Sequence, residues 1–168
     1  AFAAGAGLVH AVVPDGATSD IALAEPDVQV SGHRFAAPLS QSLGELLHSA
    51  DAVVMGPGLG RSDEAATFVL EAIERCSTMV VDADALTVLA SRRDELRELA
   101  QRRQVVLTPH LGEFRSLFPD FAEAVATDPW TAAREAALAS GCTVLLKGVP
   151  TVVAARDGAT LTVASGNP

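Results

Sequence analysis

Apolar runs of strand length alternate with stretches of helical periodicity along the sequence, and such a chain buries its strands by repeating strand–helix units around a parallel sheet. The first run is residues 8–13. It follows what reads as the glycine-closed end of a helix at residues 3–7, where Gly5 and Gly7 allow tight packing of helix on strand. From residue 51 the alternation sharpens. Residues 51–55 form an apolar run and residues 56–60 a glycine loop. Ser62 then caps a helix that sets Ala66, Val69, Leu70 and Ile73 on one stripe, with Asp63 and Glu64 in the first turn, where the helix dipole favours anions. A strand is expected at 78–81, a turn and short helix over 82–90, a charged helix over 92–103 anchored by Leu96 and Leu99, and a strand over 104–108. Pro109 and His110 lead into a short amphipathic segment ending near Phe118. Asp128 and Pro129 start an alanine-rich helix that runs to Ser140 and stops at Gly141. After a strand at 143–146, residues 151–155 and 160–163 flank Asp157 and Gly158 as an antiparallel hairpin on the sheet edge. Residues 15–42 predict only short or edge elements. The expected class is α/β: one domain, a mostly parallel central sheet and an antiparallel edge hairpin.

Bulk properties narrow the function. With 168 residues, 49% of them hydrophobic, the chain suits a single core, since a domain of this size buries roughly 70% of its unfolded surface. A net charge of −9 and a pI near 4.8 argue against nucleic acid as a partner, because counterion release needs clustered Lys and Arg. No uninterrupted apolar stretch approaches the roughly 20 residues of a membrane span, so a soluble, cytoplasmic protein is expected. Cys76 and Cys142 are too few for a disulfide framework and lack metal-site spacing; buried thiols in a reducing compartment are expected. The chain opens on Ala1 and Phe2 rather than Met and ends on Gly166, Asn167 and Pro168, and both ends read as cut.

Open parallel sheets bind ligands beyond the carboxyl ends of their strands, which gives weight to the residues that follow each strand. Four such positions stand out: the glycine loop with Gly58, the Asp82-Ala83-Asp84 triplet, the stretch from Thr108 to Glu113, and Lys147-Gly148. A glycine loop between strand and helix lets backbone N–H groups approach a phosphate, or is simply a tight turn. Asp82 and Asp84 could hold Mg²⁺ with several waters kept, or one of them could cap a helix beginning near Ala85. His110 and Glu113, three apart, could point into one cleft, with His110 donating to a phosphate or an amide. Alternatively His110 caps the helix, and Glu113 is a capping-box partner or steers a metal-bound water. Lys147 leaves an apolar strand straight into glycine, and is there to meet an anion or to reach solvent. His10, His33 and His48 have no such setting.

Taken together, the stretches AGAGLV, VVMGPGLGRS, VVDADALT, VVLTPHLGEF and LLKGVPTVVA, the Asp-Gly hairpin and the terminal GNP resemble, in register from Ala4 to Pro168, the ADP- or ATP-dependent NAD(P)H-hydrate dehydratases of the ribokinase-like superfamily. The resemblance implies a doubly wound α/β/α sandwich and a repair reaction in which a nucleotide phosphorylates the hydroxyl of hydrated NADH or NADPH and loss of that phosphate restores the reduced dinucleotide. Residue by residue, it assigns Gly58 and His110 to the hydrated dinucleotide and Lys147, Gly148, Val149, Pro150 and Thr151 to the nucleotide. Mg²⁺ is implied between phosphates, with Glu113 and Asp82 as indirect candidates, and ADP as the co-substrate. Homo-oligomeric assembly and fusion to an NAD(P)H-hydrate epimerase domain are further implications.

The family continues after GNP into a glycine-rich stretch that ends in the catalytic aspartate, so that residue is expected beyond Pro168. A general base contributes about 10²- to 10⁴-fold and anion-hole donors about 10²- to 10³-fold apiece, so residues 1–168 alone are expected to be nearly inert. Two other functions fit the same layout: a vitamin kinase of the same superfamily acting on hydroxyethylthiazole, hydroxymethylpyrimidine or pyridoxal, and a non-catalytic nucleotide-binding remnant.

Overall fold

Two parallel strands begin the chain. In the computed structural model, which describes residues 1–164, a 3-10 turn (Phe2–Ala4) ends at Gly5, whose left-handed φ of 95° lets its N–H return to the Phe2 carbonyl. Strand β1 (His10–Val13), a second 3-10 turn (Asp15–Ala17), helix α1 (Thr18–Ala24) and strand β2 (Gln29–Gly32) follow. β1 pairs with β2 in parallel from His10↔Gln29 to Val13↔Gly32, and His10 Nε2 lies 2.8 Å from the Ser31 hydroxyl. These elements belong to the first of two compact units, Ala1–Ala36, the second being Ala37–Pro168. The glycine-closed helix end expected at residues 3–7 is therefore a single 3-10 turn, and residues 15–42 do hold short elements. Gly166, Asn167 and Pro168 lie outside the described residues.

The second unit is built as the alternation demands. Helix α2 (Gln41–Ser49) is capped by Ser40, whose hydroxyl accepts from the Leu43 N–H, and it buries Leu43 and Leu47 one turn apart. Strand β3 (Val53–Met55) leads through the glycine loop to α3 (Asp63–Arg75), where the expected Ser62 cap forms and the expected stripe of Ala66, Val69, Leu70 and Ile73 is buried. Then come β4 (Thr78–Val81), α4 (Ala83–Leu89), α5 (Arg93–Ala100), β5 (Gln104–Leu107) and α6 (Leu111–Leu117). A 3-10 turn (Pro119–Phe121) and α7 (Ala124–Thr127) precede α8 (Pro129–Ser140), which Asp128 caps and Gly141, at φ 72°, ends. Strands β6 (Thr143–Leu146), β7 (Thr151–Ala154) and β8 (Thr160–Val163) are the last elements among the described residues.

The six strands lie in the order β3-β4-β5-β6-β7-β8, parallel through β6 and antiparallel across β6-β7-β8. Alternate residues of the inner strands, Met79, Val81, Val105, Leu107, Val144, Leu146, Val152 and Ala154, are buried together with Leu86, Leu89, Leu96, Phe114, Leu117 and the alanine face of α8. Each large apolar side chain taken out of water this way contributes about 1.5–3 kcal/mol. Phe114 and Phe118 stack at a tilt, with ring centroids 5.1 Å apart.

Candidate functional site

Because β3, β4, β5 and β6 run the same way, the residues after them, Gly56, Asp82, Thr108 and Lys147, leave the sheet at one edge; β7 runs the other way and therefore starts there with Thr151. The topology alone gathers the four stretches that the sequence singled out.

Gly56 sits where the exits of β3 and β4 cross. Its φ is 145°, and a Cβ built on it would fall 1.8 Å from the Asp82 carbonyl oxygen, while the Asp82 N–H donates to the Met55 carbonyl at 3.0 Å. No side chain fits there. Gly58 and Gly60 are glycine for a different reason: space around them is open, and it is their positive φ, 75° and 84°, that other residues resist.

Four charged or polar side chains converge on the same edge. The Lys147 ammonium donates to Asp82 Oδ1 at 2.7 Å and lies 3.8 Å from Glu113 Oε2, and the Lys147 N–H donates to the Pro109 carbonyl at 2.8 Å. Burial pushes the Asp82 carboxyl up, but the bond from Lys147, with help from the Ala83 backbone and the Thr108 hydroxyl, holds it below its ordinary value. His110 is the N-cap of α6. Its Nδ1 accepts from the N–H groups of Gly112 (2.9 Å) and Glu113 (3.3 Å), while Glu113 Oε2 accepts from the His110 N–H at 2.9 Å, which completes a capping box. An accepting Nδ1 assigns the ring proton to Nε2, which faces Glu113 Oε1 at 3.2 Å.

Residues 147–151 bridge the end of β6 and the start of β7. The Thr151 hydroxyl donates to the Gly148 carbonyl at 2.9 Å, and Val149, 64% exposed, precedes Pro150 through a cis peptide.

The structure thus places His110, Glu113, Asp82 and Lys147 in one connected cluster, with residues 148–151 continuing from it, and places Gly58 in the loop that crosses over Asp82. It also revises two expectations. Helix α4 starts at Ala83 rather than near Ala85, and neither aspartate caps it through its side chain. Asp82 turns to Lys147. Asp84 turns the opposite way, accepting from Arg61 Nε at 2.8 Å and from the Gly60 N–H at 3.2 Å, and Arg61 followed by that N–H lowers its carboxyl. The sequence did not reveal these counter-ions. Lys147 and Asp82 are 65 positions apart and their strands flank β5, so only the strand order brings them together.

Among the described residues, no group of three or more His, Cys, Asp or Glu side chains is placed to hold a metal ion. Asp82 and Glu113 instead share one ammonium, so any role near Mg²⁺ would be through water or ligand phosphates. No helix among the described residues is long and apolar enough to cross a membrane.

A family model described as NAD(P)H-hydrate dehydratase matches residues 1–168. The bifunctional NAD(P)H-hydrate repair enzyme of Gloeobacter violaceus is 39% identical over 169 residues, covering 98% of this chain and 32% of that protein. Its Escherichia coli counterpart is 33% identical over 167 residues, covering 99% and 30% respectively. The chain therefore spans about a third of the length of the curated relatives it matches. Among solved structures, an ADP/ATP-dependent NAD(P)H-hydrate dehydratase from Bacillus subtilis, crystallised with ATP and Mg²⁺ and soaked with CoA, superposes with a TM-score of 0.75 at 22% identity, over 99% of this chain and 58% of that one. A ribokinase-like superfamily protein from Enterococcus faecalis gives 0.76 at 21% identity, over 99% and 56%. The fold is ribokinase-like.

Proposed function

The chain belongs to the NAD(P)H-hydrate dehydratase family, and from that premise we propose that the protein uses ADP or ATP to dehydrate hydrated NADH or NADPH, a carbon–oxygen lyase reaction of metabolite repair. One observation carries the reading: a lysine, a histidine and two carboxylates, drawn from the exits of three strands, meet at the edge of a parallel sheet next to a glycine loop. Residues 1–168 act within one ribokinase-like dehydratase domain, in a reducing cytoplasm that keeps the buried thiols of Cys76 and Cys142 free.

In this reading the hydrated dinucleotide lies over Gly58 and His110, and the nucleotide over Lys147, Gly148, Val149, Pro150 and Thr151. The ring hydroxyl of the substrate takes the terminal phosphoryl group of the nucleotide, and departure of that phosphate with a ring proton restores the ring double bond. Lys147 leaves Asp82 and Glu113 to bind the incoming phosphates, an exchange of one charge-assisted bond for another. His110 presents its Nε2–H while its Nδ1 stays locked in the helix cap. Mg²⁺ bound between the phosphates would screen their charge, with Asp82 and Glu113 reached through water. The general base would come from beyond Pro168. Assembly of several copies and fusion to an NAD(P)H-hydrate epimerase domain complete the proposal; two of the relatives bear names of bifunctional enzymes.

The test is recovery of reduced-nicotinamide absorbance when the whole protein that carries this chain is mixed with hydrated NADH, Mg²⁺ and either ADP or ATP. Recovery with either nucleotide is expected, and faster with ADP. The fold is shared with a hydroxyethylthiazole kinase from Pyrococcus horikoshii, which superposes with a TM-score of 0.61 at 22% identity over 95% of this chain and 62% of that one. Phosphorylation of hydroxyethylthiazole with no recovery of absorbance would therefore replace the proposal by a vitamin kinase, and binding with neither activity would leave a nucleotide-binding module.

A further inference from the structure

The Asp82-Ala83-Asp84 triplet sends its two carboxylates in opposite directions along the sheet edge. Between them, Ala83 is held at φ 49°, the one positive-φ residue other than glycine among the described residues. A left-handed alanine is strained, and surrounding contacts must hold it in place. The contacts here are those of its neighbours: Asp82 is bound to Lys147, and Asp84 to both the Gly60 N–H and the Arg61 guanidinium. The second set does little for the fold, because Arg61 is 69% exposed and exposed ion pairs stabilise weakly. What it does is geometric. The near end of the glycine loop is closed by its own turn, the Leu59 N–H donating to the Gly56 carbonyl at 3.1 Å; at its far end, where space around Gly60 is open, Asp84 is the side chain that ties the Gly60 N–H to the sheet edge.

We propose that Asp84 is a positioning residue: with Arg61 it fixes the glycine loop in the conformation that receives the dinucleotide, while having no part in holding the nucleotide at residues 147–151. The inference rests on the dehydratase reading for the identity of the ligand over the loop, but the brace itself can be measured without turnover.

Two variants suffice, Asp84→Ala and Arg61→Ala, the latter at a residue too exposed for its loss to unfold the protein. Arg92→Ala, which removes another exposed ion pair, with Glu95 away from the edge, is the control. Amide hydrogen exchange of the ligand-free protein reads the Gly60 N–H directly. Exchange about tenfold faster is expected in Asp84→Ala and an intermediate change in Arg61→Ala, with residues 147–151 unaltered. Affinity for NADPH, followed by its fluorescence, is expected to fall about tenfold in Asp84→Ala with ADP affinity within twofold of wild type. With hydrated NADH the loss should appear in KM rather than kcat. Unchanged exchange at Gly60, equal loss of NADPH and ADP affinity, or no NADPH binding by the wild-type protein would each overturn the proposal. Should the wild-type protein fail to restore NADH yet show the expected exchange and NADPH pattern, the dehydratase reading falls and the brace stands.

Discussion

Strands β4, β5 and β6 each pass from core to site within one residue. Val81, Leu107 and Leu146 are 0%, 0% and 5% exposed, and the residues that follow them are Asp82, Thr108 and Lys147. Behind that line the buried side chains are apolar apart from Ser140, and in front of it Asp82 and Lys147 are part-exposed and paired by charge. The two layers therefore divide the labour of the chain: one supplies the free energy of folding and the other holds polar groups that contribute little to it. Substitutions on either side of the line should separate accordingly.

Leu107→Ala, behind the line on a central strand, is expected to cost about 2–5 kcal/mol of stability, read as a lowered denaturant midpoint, since it removes fully buried methyl groups and leaves a cavity. Gly56→Ala tests the boundary itself: its methyl would collide with the Asp82 carbonyl, and the strand exits must part, at about 1–3 kcal/mol in the same assay. Lys147→Ala, in front of the line, is expected to leave the denaturant midpoint nearly unchanged while weakening nucleotide binding by about 1–3 kcal/mol in a calorimetric titration. A large loss of stability in Lys147→Ala, or none in Leu107→Ala, would break the division. The smallest effect belongs to Asp82→Asn. The Asp82 carboxyl is held below its ordinary value, so the stability it supplies is fully present above that value and is lost as pH falls through the lower folded value. The variant should therefore show a shallower loss of stability below about pH 4 and match wild type there once the wild-type Asp82 carboxyl is protonated. A steeper acid unfolding curve would mean that Lys147 does not hold Asp82 ionised.

The layer behind the line was legible in the sequence because burial leaves a periodic record. Ala66, Val69, Leu70 and Ile73 announce α3 by spacing, and β4, β5 and β6 by unbroken apolar runs. Residues 15–42 left no such record. None of the described residues up to Ala36 is buried, and α1 and β2 are too short to establish a period. Helix α2 did carry a signal, Ser40 as cap with Leu43 and Leu47 one turn apart, and it can be read in hindsight. In front of the line the sequence showed which residues would stand at the edge, because strand ends mark it, but not which would touch. Asp84 is the clearest case: spacing offered it as a metal ligand or a helix cap, and its actual partner, Arg61, is 23 positions away across a loop whose path no local pattern encodes.

Lys147 faces two carboxylates, so the ligand-free cluster is one negative charge in excess within a chain of net charge −9. Both molecules proposed to meet there are polyanions. They approach a surface whose long-range field repels them, and capture falls to short-range contacts made after arrival rather than to steering from afar. Dissolved salt, by shortening the reach of that repulsion to about 8 Å under physiological conditions, becomes an ally of encounter rather than its competitor.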